Sequence, residues 1–344
     1  MRPVYEMPLL EGAASQQIFY YSAHWNFYYT CTQLSKLLPD EKAVIVAHDW
    51  LELGMTGNLG LQNPVVQIVH GNYDYYYELA KKHSESIDQF ICVSAAIYDK
   101  LCSLLPERKA DIHYCRFPVP SVQFEEYPNR LFHIFYCGRS LDSENKQFKI
   151  LPEINAKLKS LGSTVHWTII GKGINGDVVK DMMDQHENIV VHDELRNQKL
   201  LQLLPGHHIF LLPSLKEGFP VTVVEAMKAG LVPLVTDWEG ATGDLIVEGK
   251  TGFYFAPGDA NGYADAIKVL NDNRQLWKQM SEAGRQKANK MFDPSINTTG
   301  IESIILKAAE GCVKEKFKKK VYGSRLDQPW LPNFLVRGIR SFSR

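Results

Sequence analysis

Residues 211–230, LLPSLKEGFPVTVVEAMKAG, decide the fold of this chain. An apolar strand at Ile209–Leu212 leads through a loop at 214–218 into a helix. Pro220 suits the first helical position, where its missing N–H costs nothing, and Gly230 closes the helix as its C′ residue. Glu217 then lies at the carboxyl end of a strand and Glu225 about one and a half turns into the next helix, so both can face the crevice where open α/β sheets bind ligands. A helix N-terminus favours a phosphate, and a carboxylate accepts hydrogen bonds from sugar hydroxyls, so the pair suits a phosphorylated, hydroxyl-rich ligand. Two glutamates alone also fit a solvated loop acid and a helix-face acid in any α/β protein.

Outward from this stretch the chain keeps a βα rhythm. Strands are predicted at 132–137, 166–170, Ile189–His192, 208–212, Val232–Thr236 and 252–255, with an amphipathic helix at 148–161. Helices follow at 259–270 and Arg274–Met291; Asp293-Pro294 breaks the second, and another starts at Ser295. Upstream, AVIVA ends at His48 and Asp49, VVQIV ends at His70 and Gly71, FICV ends at Ser94, and a fourth run covers 112–116. Each of the first three leads into a helical stretch, as in a parallel sheet. The segment from FPVPS to Pro128 reads as a linker. The expected fold class is α/β, with two doubly wound domains: 1–118, 119–312, then a tail at 313–344.

Composition narrows the function. The 344 residues carry a formal net charge of −1, which offers no field for nucleic acid. No window has the ~20 apolar residues of a membrane span and the N-terminus lacks a secretory pattern, so a cytoplasmic protein is expected. The six cysteines (31, 92, 102, 115, 137 and 312) show no C-x-x-C pair, so neither a zinc site nor a disulfide framework is expected.

The stretch PSLKEGFPVTVVEAMKAGLVPLVTDWEGATGDLIVEGKTGFYFAPGD (213–259) resembles the donor-site region of the retaining glycosyltransferases of family 4, of the GT-B type. The likeness covers their Glu-x7-Glu motif, the small-residue helix end and the Gly-rich return, and runs through most of 131–292. It implies two Rossmann-like domains facing a cleft, the first on the acceptor side and the second binding a nucleotide-diphosphate sugar. By the same resemblance Glu217 holds the donor sugar and Glu225 the ribose hydroxyls. In CGRSLDSENKQFK (137–149), Arg139, two residues past a strand end, and Lys146, just ahead of a helix, neutralise the diphosphate; the family's Lys-Gly is here Lys-Gln. Gly171 and Gly173 match its Gly-x-Gly near the base. Gly218, Phe219, Pro220, Val221 and Leu195 complete the candidate donor-binding set, and His70 is the expected contact to the transferred sugar, making Glu217 and His70 the candidate catalytic residues. No cofactor, metal or protein nucleophile is expected.

Two departures stand out. Pro220 replaces a loop glycine and removes an N–H donor. Nothing before Ile18 matches the family's opening strand and Gly-Gly loop, so the first domain is expected to be incomplete. A catalytically impaired, nucleotide-sugar- or partner-binding relative and a GT-B-type epimerase using His48, Asp49 and His70 therefore remain alternatives. The tyrosines at 73–77 fit sugar stacking or packing. The tail joins KEKFKKK (314–320) to Trp330, Phe334, Leu335 and Ile339 among arginines. It fits either a helix packed on the first domain or peripheral membrane contact, which would suit a lipid-linked acceptor.

Overall fold

A computed structural model of the chain describes residues 17–39, 43–124, 131–140, 144–172, 175–184, 187–193, 195, 197–238, 242–311, 316 and 324–342. Among these, the first part holds strands β1 (Ile45–Ala47), β2 (Val65–Val69), β3 (Gln89–Cys92) and β4 (Ile112–Tyr114), in that order in one sheet, with β1 and β2 parallel. Helices α1 (Phe27–Ser35), α2 (Trp50–Leu59), α3 (Asp74–His83) and α4 (Ala95–Leu104) accompany them. The five residues of β2 are all buried and mostly β-branched, as expected for a strand covered on both faces.

Six more strands form a second sheet: β5 (Phe132–Ser140), β6 (Val165–Lys172), β7 (Ile189–His192), β8 (Ile209–Leu212), β9 (Val232–Thr236) and β10 (Phe253–Phe255). Their order is β10–β9–β8–β5–β6–β7, with every pair parallel. The chain starts in the middle at β5, moves to β6 and β7, then reverses to β8, so the topological switch point lies between β5 and β8. Helices α5 (Ile150–Ser160), α6 (Gly176–Met182), α7 (Asn197–Leu203), α8 (Val221–Lys228), α9 (Thr242–Leu245), α10 (Ala260–Asp272), α11 (Arg274–Met291), α12 (Pro294–Glu310) and α13 (Asn333–Phe342) complete the described elements. Alternation along β5 sends Phe132, Ile134 and Tyr136 into a core with α5 and α10, and Phe135 into another with α7 and α8.

The described chain divides into two compact units. One contains residues up to Ile68, Glu78–Phe90 and those from Ile304; the other contains Val69–Tyr77 and Ile91–Ser303. Ile91–Ser303 thus remains one unit across the sequence boundary at 118/119. The segment read as a linker is built into that unit's core: Val119 is fully buried, donates its N–H to Phe292 O (3.2 Å), and its carbonyl accepts from the buried Lys228 ammonium (2.5 Å). Burial lowers the Lys228 pKa from its usual value.

Two further differences from the sequence expectation have simple causes. Strand β5 continues past Cys137 to Ser140, because after a bulge Ser140 pairs with Lys172 of β6; Arg139 therefore lies within a strand rather than beyond it. Pro220 is the N-cap of α8, at φ −81° and ψ 82°, so its ring stands outside the helix and Val221 is the first helical residue. At the other end Gly230 has φ +91° as the C′ residue; its N–H donates to Met227 O (3.0 Å), and that of Leu231 donates to Ala226 O (2.9 Å), a Schellman closure.

Four histidines gather where β5, β6 and β8 begin. The rings of His133 and His166 stack at 4.8 Å, and His207 and His208 lie 5.8 and 5.9 Å from His133. His208 Nδ1 accepts from the His133 N–H (3.1 Å), and Thr168 Oγ1 meets His207 Nε2 at 2.8 Å. Burial lowers the pKa of His207 to about 4 and of His208 to about 3, from 6.5. Both are neutral in the fold, so their stability contribution is present above pH 6.5 and is lost as pH falls towards those values. The cost is about 1.4 kcal/mol per pH unit for each histidine. The denaturant midpoint is expected to fall steeply from pH 6.5 to 5, and less so in His208→Gln; equal slopes would remove the histidines from the account.

Candidate functional site

The loop ahead of α8 is fixed to the turn after β5. Asn145 Oδ1 accepts from the Lys216 N–H (2.9 Å), Asn145 Nδ2 donates to Lys216 O (3.0 Å), and the Leu215 N–H donates to Asn145 O (2.8 Å). These three bonds bring Lys146, in a 3-10 turn, onto the loop, where its ammonium meets Glu217 Oε1 at 2.5 Å. Both side chains are mostly shielded, at 22% and 14% exposure, so the pair is screened less than a surface ion pair. Tyr136 Oη donates to Lys146 O (3.2 Å) from below, and Tyr73 Oη to Lys216 O (3.2 Å). Burial and then the Glu217 carboxylate raise the Tyr73 pKa, keeping the phenol a donor.

Glu225 lies on α8, the helix that β8 feeds, and is only 4% exposed. Burial raises its pKa; a side-chain hydrogen bond from Asn197, at the start of α7, partly offsets the shift. Burial pushes the Cys137 thiol up to about 11, with Lys146 pulling it down and Glu225 pushing it up. The amino end of α8 has neither a side-chain cap bond nor an acid in its first turn, so its positive end is not neutralised by its own residues.

His70 follows β2 and reaches the same loop through its backbone. A Cβ placed on Gly218 would lie 2.2 Å from His70 O and 2.6 Å from Gly71 Cα, so only glycine allows this approach. Phe219 then packs between Phe117 (6.1 Å) and Phe292 (5.4 Å), and the His70 ring lies 6.5 Å from Phe117. Val221 and Leu195 pack on the core beneath α8, and the buried Pro220 caps the helix. Trp238, also buried, donates Nε1–H to Ser214 O (2.7 Å), bracing the loop from β9.

Lys146, Glu217, Gly218, Phe219, His70 and Glu225 thus belong to one unit around the carboxyl ends of β5 and β8. Gly171 is buried at the end of β6; Gly173 and the Arg139 side chain lie outside the described residues, as do Cys312 and the stretch before residue 17. His48 and Asp49 belong to the other unit, after β1, where Asp49 Oδ1 caps α2 through the Trp50 N–H (2.8 Å). Of the tyrosines at 73–77, Tyr77 is buried on Asn72 (2.6 Å) and Tyr73 braces the loop. Asn145 and Asn197 escaped the sequence reading, and Tyr73 was read only as a stacking or packing residue, because their partners are far away in the chain and no local spacing reveals them.

Two parallel sheets, with this site at the switch point of the second, define a GT-B fold. Residues 126–287 match the family Glycosyl transferases group 1. The chain is 28% identical to the glycogen synthase of Mycobacterium tuberculosis over 65% of its own length and 55% of that protein. It is 26% identical to the capsular polysaccharide biosynthesis glycosyltransferase CapM of Staphylococcus aureus, over 58% and 54%. The chain spans about half the length of these curated relatives. Among solved structures it is similar to Anabaena HepE in complex with UDP and glucose, with a TM-score of 0.67, 16% identity, and coverage of 80% of this chain and 81% of that one.

Proposed function

We propose that the chain is a retaining glycosyltransferase of family 4 that moves a sugar from a nucleotide-diphosphate sugar to a saccharide or lipid-linked acceptor, in cell-surface polysaccharide or glycolipid synthesis. The observation that carries this is the Lys146–Glu217 pair at 2.5 Å, clasped by Asn145 beside the open amino end of α8. A cation, a helix end and a shielded carboxylate on one loop match the charge and hydroxyls of such a donor.

In this reading Lys146 and the α8 amino end, joined by Arg139, take up the charge that develops on the leaving diphosphate, and no metal is needed. Glu217 exchanges its bond to Lys146 for donor-sugar hydroxyls, and Glu225 accepts from the ribose. His70 lies beside the sugar on the acceptor side. The departing phosphate, rather than a protein nucleophile, assists the incoming hydroxyl on the same face, which retains configuration. The UDP and glucose in HepE make UDP-sugars the first donors to try.

Calorimetry with UDP-, GDP- and ADP-sugars in the absence of metal tests this. One donor is expected to bind and to weaken by about 10-fold or more in Lys146→Ala, the loss of one charge-assisted contact. Binding that is absent for every donor, or unchanged in that variant, overturns the donor-site assignment.

A further inference from the structure

Helix α13 is held by its polar edge and leaves its apolar face open. Val336 is fully buried, Asn333 Oδ1 accepts from the Asn26 N–H (2.9 Å), and Arg340 Nη2 grips both oxygens of Asp327 (2.9 and 2.8 Å). Asp327 in turn accepts from the Phe27 N–H (2.7 Å), and Asn26 Nδ2 donates to the carbonyls of Gln328 (2.8 Å) and Leu331 (2.6 Å). At about 100° per residue, Asn333, Val336 and Arg340 fall in one narrow sector, and Phe334, Leu335 and Ile339 fall away from it. Those three are 72%, 45% and 50% exposed, and Trp330, just before the helix, is 74% exposed.

A helix that served only to cover this unit would turn its large apolar residues inward. Here the six hydrogen bonds named above fix the opposite orientation, so the open face is a property of the docked helix rather than of a frayed end. The exposed charge near the helix indicates what meets it. Among the described residues of this stretch Arg325 and Arg337 are exposed, whereas Lys316 and Arg340 are ion-paired with Asp88 and Asp327. Arg337 is exposed on the flank next to Phe334. A second copy of this face would bring the same arginine flank together, whereas an anionic bilayer meets both the apolar face and the exposed Arg337. None of the described helices is long and apolar enough to cross a membrane, so the contact is interfacial.

We propose that Trp330 and α13 form a built-in anchor that seats this unit on an anionic lipid surface, with Phe334, Leu335 and Ile339 at the acyl boundary and Arg337 among the headgroups. The anchor is independent of the proposed transfer reaction.

Co-sedimentation of the whole chain with phosphatidylcholine vesicles, with and without phosphatidylglycerol, tests it. The wild type is expected to sediment with the mixed vesicles, to release at high salt, and to ignore neutral ones. The exposed triple change Trp330→Ser, Phe334→Ser, Ile339→Ser is expected to cut partitioning by about tenfold or more, with melting temperature and donor binding unchanged. No partitioning by the wild type, or equal partitioning by the variant, overturns the anchor. So does a wild-type dimer, seen by light scattering, that the triple change dissociates.

Discussion

Glu225→Gln is expected to weaken nucleotide-sugar binding by about 100-fold while leaving the unliganded protein at least as stable as the wild type. In its proposed role Glu225 makes two charge-assisted bonds to a diol, and their loss is worth about 3 kcal/mol. The stability outcome follows from the site itself. The carboxylate is 4% exposed, burial raises its pKa, and the Asn197 bond offsets only part of that. A charge held under that penalty works against the fold, and an amide of the same shape removes it. The pH dependence has a definite sign. The folded pKa is raised, so protonation favours the fold; on this account stability rises as pH falls through that pKa, opposite to the histidine cluster. Ligand affinity depends on the ionised form and is lost over the same range. Calorimetry and thermal melts read the two effects separately. A variant that binds as the wild type does removes Glu225 from the site, and one that unfolds makes it a structural acid.

Gly218→Ala is expected to destabilise the protein by about 3 kcal/mol and to lower transfer by about 100-fold. The added carbon would sit 2.2 Å from His70 O and 2.6 Å from Gly71 Cα, both backbone atoms with no rotamer to change. The loop has little room to retreat: Glu217 is tied to Lys146 on one side, and Phe219 is packed against Phe292 on the other. Gly243→Ala is the matched control, since nothing lies within 4 Å of a Cβ there; a small effect or a gain is expected. Denaturant midpoints and initial transfer rates for the two variants decide the matter. If Gly218→Ala behaves like Gly243→Ala, the close approach of 70–71 to this loop is wrong.

Much of the second sheet was legible because short apolar runs end abruptly in polar residues, and that pattern marks a buried parallel strand whatever it pairs with. The end of β5 was not, because Arg139 and Ser140 extend the strand only through a bulge that β6 permits. The segment at 117–122 illustrates the same limit: its prolines suggest a linker, yet Lys228 and Phe292, more than a hundred residues away, draw Val119 into a core. Local composition records what the backbone prefers, not what will cover it.

For the candidate site, the sequence alone determined the residue types and their order: Glu217 at a strand end, Glu225 on the next helix, Lys146 before another. Spacing along a strand–loop–helix unit is a local property, set by backbone geometry. Only the tertiary structure decided that Asn145 clasps the Glu217 loop and delivers Lys146 to it, that Gly218 must be bare for His70 and Gly71 to approach, and that Glu225 is buried. It also decided that α13 docks through Arg340 and Asn333 and turns Phe334 outward. Each is a contact between distant segments. Its energy depends on distance and dielectric in three dimensions, which no one-dimensional pattern encodes.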